Sequence, residues 1–445
     1  MINFFSDKRF LKTLAFLAVP IMLNELLNSA VNMLDTFMIG TLGDAPVAAV
    51  GLGNQVFFLF ILLSFGINSG TAIFMGQYAG KNDMQNVHKT IGLSLVLTLA
   101  ASVMFALAAY FMPEVIMRIY SKDEVVISLG SGYLKTVAVS YIFTAVIVVF
   151  NSALKVTGNT IQPMATTFIA FIINMVCNYI FIFKMGYGVK GSAMGTVCAR
   201  ACELVIQFII MIKCKRKVLA KPAAYFGFNF GFCKNIIPFA LPVICNEALW
   251  SLGTTGYNIA YKYSGTLAQA AVQIATTVQN LFMVAGMGIG SACAIMLSNT
   301  LGAGDKEKAL DNSKRCVFFG TLISGIMGII LALSAGSIVG IFKVDPVAGL
   351  YAHRMLLIVA VGVVVKTLSY ITICGILRSG GDTRYCLVLE GFSVWFIGLP
   401  MAFLGSAILH LPIYITFAMV YMEEVLKVII SFKRVAGNKW LRTLV

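Results

Sequence analysis

The residue most able to do chemistry is Asp35, a carboxylate near the far end of the apolar stretch Pro20 to Val50. Together with Asn24, Asn28 and Asn32 it falls within about 80° of arc on a helix, so three amides and one acid share a narrow face. Lipid does not tolerate such a face, whereas a water-filled cavity does. A carboxyl group taken out of water can accept and release a proton, which makes Asp35 the leading ion-coupling candidate. Glu247 is the second, because it lies one turn from Trp250, whose ring can attract an organic cation. The amides and aromatics Gln55, Asn151, Asn174, Asn178, Asn246 and Tyr257 are further candidates to line a substrate cavity together with Asn28 and Asn32. Arg200 and Glu203, three residues apart, read as a self-neutralising pair. Lys366 lies inside an apolar run and needs a carboxylate partner, with Glu247 and Glu390 as the candidates.

These residues must be held by helices that cross a bilayer. Of 445 residues, 59% are hydrophobic and only 11% charged, and the mean hydropathy is +0.90. A soluble domain carries roughly 25% charge. Apolar runs long enough to span about 30 Å of hydrocarbon fall at about 12 to 39, 46 to 78, 89 to 112, 129 to 154, 161 to 183 and 190 to 212. A second set falls at about 235 to 262, 268 to 300, 316 to 342, 351 to 376, 385 to 407 and 411 to 432. The fold class is thus an all-α membrane protein of twelve transmembrane helices.

The two sets are copies. Adding 222 to the numbering lays Pro20 on Pro242, Asn24 on Asn246, Glu25 on Glu247, Gly43 on Gly265, Asp83 on Asp305 and Asp123 on Asp345 without a gap. Six helices per repeat is an even number, so the repeats enter from the same side and are expected to be related by a pseudo-twofold axis along the membrane normal. The domains expected are an N-lobe over 1–212, a basic linker over 213–234 and a C-lobe over 235–445.

Placing the amino terminus inside puts 23 of the 33 basic residues on inner segments, Arg378 and Lys427 among them, and 8 on outer ones, Lys343 among them. Both termini are therefore expected in the cytoplasm, in a multi-pass protein of the cell inner (plasma) membrane. The basic run before the first apolar stretch reads as part of a retained helix, not as a cleaved signal. The net charge of +15 follows from these topology signals and implies no nucleic-acid partner. The ten Cys contain no C-x-x-C pair and the His are isolated, so neither a metal site nor a bound cofactor is expected. Phosphate-loop, zinc-peptidase and esterase motifs are absent, which argues against an enzyme.

The stretch L17-x-x-P-x-x-x-N with D35-T-F-M-I-G-T-L-G-D-A-P-V-A-A-V-G, and L241-P-V-I-C-N-E-A-L-W in the second repeat, resembles the multidrug and toxic compound extrusion (MATE) family. The resemblance implies two six-helix lobes forming a V, alternating access, and efflux of amphipathic cations in exchange for H⁺ or Na⁺, by a chain expected to act as a monomer. It matches Asp35 to the family's first-helix acid and Pro20 to the helix-one proline at which the helix can bend. Where some sodium-coupled relatives carry an acid in helix ten, this chain has Lys366 and Thr367, which favours proton coupling through Asp35. The alternative within transport is a flippase of lipid-linked saccharides from the same superfamily.

Overall fold

A computed structural model of the chain describes residues 7–342 and 344–445, so Lys343 lies outside the described residues. All regular structure in the described residues is helical. Twelve long helices are numbered here in chain order: α1 Lys8–Gly40, α2 Asp44–Gly80, α3 Met84–Phe111, α4 Glu124–Val156, α5 Ile161–Lys184, α6 Gly188–Lys213, α7 Phe230–Ser264, α8 Thr266–Gly302, α9 Lys306–Ile341, α10 Pro346–Gly380, α11 Thr383–Ile408 and α12 Ile413–Ala436. Eleven are long and apolar enough to cross a membrane. The twelfth is 24 residues long, and Glu423, Glu424 and Lys427 put three charges into its middle turns.

Helix limits follow the apolar runs except where a charged turn is also helical. The largest gap is at α9, which begins at Lys306 because Asp305 caps it, accepting a hydrogen bond from the Lys308 amide at 3.0 Å. Its counterpart Asp83 caps α3 in the same way, from Asn86 at 3.1 Å. Asp123 and Asp345 cap α4 and α10, accepting from Val125 at 2.9 Å and Val347 at 2.8 Å. Gly43 and Gly265 hold φ of +111° and +91° between the first and second helix of each repeat, a conformation that glycine supplies without steric cost. The 222-residue offset therefore preserves the caps and turns that start helices, as well as helix content.

The chain packs as two compact units, and their limits differ from those of the repeats. One unit runs from Leu23 to Ala240; the other combines the chain up to Met22 with Leu241–Val445. The crossing points lie inside α1 and α7, two residues after Pro20 and one before Pro242. Linker residues from Val218 to Tyr225 are docked within the first unit: the buried Tyr225 hydroxyl donates to the Val218 carbonyl at 2.8 Å, and His88 Nε2 lies 2.8 Å from the Lys217 carbonyl oxygen. The start of α7 stays with this unit too, Phe239 meeting the edge of Phe74 at 5.4 Å.

Each unit has its own core, and equivalent positions fill both. Ile39, Ala49, Val50 and Val56 are buried in the first unit, and Tyr261, Ala271, Val272 and Val278 in the second. In the first, Phe60 stacks on Tyr141 with centroids 5.5 Å apart. Large apolar side chains such as Phe37, Leu333 and Ile341 remain exposed, as suits a surface solvated by lipid.

Candidate functional site

In the Leu23–Ala240 unit, α1 presents a polar face that grades from buried Asn24 through half-buried Asn28 and Asp35 to exposed Asn32. Asp35 Oδ1 accepts a hydrogen bond from Asn178 Nδ2 at 2.5 Å, and the same amide lies 3.3 Å from Asn174 Oδ1. Asn178 and Asn174 are one turn apart on α5, and both are buried. Immediately after Asn178 the helix widens into a π-turn, Tyr179–Lys184, a distortion that often marks functional positions. The small residues of α6 let this segment approach. Any side chain on Gly195 would strike Asn178, whose Cγ lies 3.0 Å from an ideal Cβ there, and Gly191 faces the Phe181 backbone at 2.8 Å. Asn178 Oδ1 is buried and has no hydrogen-bond partner among the described residues.

The polar face continues along α6. Arg200 Nη1 pairs with Glu203 at 2.7 Å, Thr167 donates to Glu203 Oε1 at 3.1 Å, and Gln207 Nε2 donates to Asn151 Oδ1 at 2.8 Å. Arg200 is near enough to Asp35 to act on its charge. Gln55 is exposed and apart from these groups. Its neighbour Asn54 instead accepts from the buried Tyr133 hydroxyl at 2.8 Å.

The other unit holds two charged clusters. Arg378, 3% exposed, donates to Glu247 Oε1 at 3.0 Å and to Glu390 Oε2 at 3.3 Å. Asn246 Nδ2 also donates to Glu390. In the second cluster Tyr257 donates to Glu423, and Lys427 pairs with Glu423 and, at 3.5 Å, with Glu424. Trp250 is exposed near the first cluster.

Three expectations from sequence need correction. Arg378 and Lys427, assigned to inner segments, are buried within helices as counter-ions: pairing with acids lets α10 carry Arg378 past the end of its apolar run and lets Lys427 sit inside that of α12. Lys366 does not pair with Glu247 or Glu390, which Arg378 occupies. Its ammonium lies 5.8 Å from the Tyr421 ring centroid and acts on Glu424. Glu423 and Glu424 were missed, although two adjacent acids inside an apolar stretch were the available signal.

Comparison with known proteins places these features in a wider group. The MatE family profile matches residues 20–180 and 242–404, one block in each repeat. The chain is 23% identical to a probable multidrug resistance protein, YoeA, of Bacillus subtilis, covering 89% of this chain and 87% of that one. It is 25% identical to a probable multidrug resistance protein, NorM, of Thermotoga maritima, covering 88% and 85%. Among solved structures, a Vibrio cholerae MATE transporter, VcmN, in a bent form has a TM-score of 0.88 at 18% identity, covering 98% of both chains. A Pyrococcus furiosus transporter of the MOP superfamily, whose binding pocket has reversed polarity, has a TM-score of 0.87 at 19% identity, covering 96% of each.

Proposed function

Because this chain belongs to the MATE family of multi-pass membrane transporters, we propose that it is a secondary-active multidrug exporter that expels amphipathic organic cations in exchange for H⁺ by alternating access. It works from the inner (plasma) membrane with both termini in the cytoplasm. The observation that carries proton coupling is how the embedded acids are held. Glu203, Glu247, Glu390 and Glu423 each sit against a fixed cation, namely Arg200, Arg378 or Lys427. Asp35 is bonded to a neutral amide, and Arg200, which acts on its charge, is paired with Glu203 instead. An acid that must lose and regain its charge in each cycle cannot be locked to a permanent counter-ion, and Asp35 is free of that constraint.

Asn178 suits both states of that acid. Its Nδ2 donates to the carboxylate, and its unpartnered Oδ1 offers an acceptor to the protonated acid once the amide turns over. Proton uptake and the hydrogen-bond pattern of α5 are then linked, and a substrate that prefers one pattern is coupled reciprocally to the proton. The acid and amide face on α1 also supports a cationic substrate over an anionic lipid-linked saccharide.

The test is ethidium efflux under separately imposed pH and Na⁺ gradients, for wild type and Asp35→Asn. A pH gradient alone should drive the wild type, and Asp35→Asn should abolish that efflux. Full pH-driven efflux by the variant would refute the assignment, and ethidium moved by neither gradient would favour the saccharide flippase.

A further inference from the structure

The unit containing Leu241–Val445 encloses a cation of its own, in a place that the coupling reading does not use. Glu423 on α12 is 4% exposed. One of its oxygens accepts from Lys427 one turn along the helix, and the other accepts from the Tyr257 hydroxyl on α7. Lys427 is 2% exposed, and its ammonium also lies 3.5 Å from Glu424. Ser369 and Lys366 on α10 act on Glu424, and Glu390 on α11 adds its negative field at Lys427. Gly398 of α11 closes the chamber, since a side chain there would strike both the Glu423 carboxylate and the Tyr257 hydroxyl. Two carboxylates therefore flank one ammonium, the Tyr257 phenol holds the far oxygen of one of them, and a third and a fourth helix pack around the group.

Carboxylates that stay ionised away from water are stabilised by a cation at close range. An ammonium is a compact point charge with three donors, which places it among hard oxygen ligands much as a small monovalent ion would be placed. A diffusible ion can leave such a site, whereas one fixed to the backbone cannot. We propose that Lys427 is a tethered cation occupying a monovalent-cation site built by Glu423 and Glu424, with Tyr257 fixing the Glu423 carboxylate. This site therefore takes up no Na⁺, and removing the Lys427 charge converts the same oxygens into a Na⁺ site.

The test uses purified full-length protein, with thermal unfolding in NaCl against choline chloride at equal ionic strength and equilibrium binding of radioactive Na⁺. Wild type should melt at the same temperature in both salts and show no Na⁺ binding that Glu423→Gln removes. Lys427→Met should melt several degrees lower in choline and recover saturably in NaCl, and adding Glu423→Gln should abolish the recovery. Lys427→Arg, which keeps the charge, should remain insensitive to the choice of salt. Na⁺ binding to wild type that Glu423→Gln abolishes would overturn the proposal, as would a folded Lys427→Met that Na⁺ stabilises no better than choline. If Lys427→Met yields no folded protein in either salt, the wild-type and Glu423→Gln binding measurements decide alone.

Discussion

Replacing Arg378 with leucine tests whether Glu247 is a structural acid or a coupling acid. The guanidinium side chain is 4% exposed and its two carboxylate partners 13% and 16%, so solvent screening is weak. At 3.0 and 3.3 Å each attraction is about 5 kcal/mol for an effective dielectric near 20. Desolvating three ions at several kcal/mol apiece, together with repulsion between the carboxylates, consumes nearly all of it, so the intact cluster adds little net stability. Removing the arginine alone leaves two buried carboxylates, at a cost of about 3–5 kcal/mol. Arg378→Leu combined with Glu247→Gln and Glu390→Gln should return to within about 1–2 kcal/mol of wild type. Unfolding of the purified variants in detergent measures both quantities, and ethidium efflux by Glu247→Gln supplies the functional arm, which should remain driven by a pH gradient. A single variant within about 1 kcal/mol of wild type, or a triple variant as unstable as the single, would refute this reasoning.

Gly195→Ala places a methyl group against Asn178 and should push the amide off Asp35. Loss of a hydrogen bond to a charged group is worth about 1.5–3 kcal/mol, so pH-driven efflux at matched folded yield should fall by about tenfold or more, and unchanged efflux would count against the Asn178 assignment. At the protein's edge, Asp7 receives the Arg9 and Phe10 amides at 3.1 and 3.0 Å and the Arg315 guanidinium at 2.5 Å. The Phe10 amide, followed by Arg315, holds its carboxyl below the ordinary value of 3.8. A lowered folded value means that the stabilisation is present above pH 3.8 and is lost as pH falls below it. Wild type should therefore melt above Asp7→Asn at neutral pH, with the gap closing in strong acid; a gap that persists there would contradict the assignment.

The fold was legible in the sequence because hydropathy and the 222-residue offset report the same thing, namely which segments avoid water and which turns begin them. That Asp35 needs a polar partner was legible, because an isolated acid in an apolar run is costly unless it faces water or a polar group, and Asn178 supplies one. The roles of Arg378 and Lys427 were not, since hydropathy reads a charge beyond an apolar run, such as Arg378, as loop, and assigns no partner to a lysine inside one, such as Lys427 in the run 411 to 432. Only the structure reveals that Glu247, Glu390 and Glu423 are there to receive those charges. Lys366 was given the wrong partner for a related reason: Glu390 is close in sequence, but Arg378 already claims it. Asn54 and Gln55 are both exposed but differ by one helical step of about 100°, enough to bring Asn54 to the Tyr133 hydroxyl and leave Gln55 without that contact.

The division of the chain also sets an order of assembly. The unit from Leu23 to Ala240 is continuous and can complete its packing as soon as α7 begins to emerge. The other unit needs both the first half of α1 and everything after Leu241. At about 5–20 residues per second, the segment up to Met22 waits about 10–45 s for its packing partners. During that interval it is moored only by the continuity of α1 through Pro20 to a neighbour that has already formed, so biogenesis of the second unit begins from an anchored first strand of chain instead of from a free end.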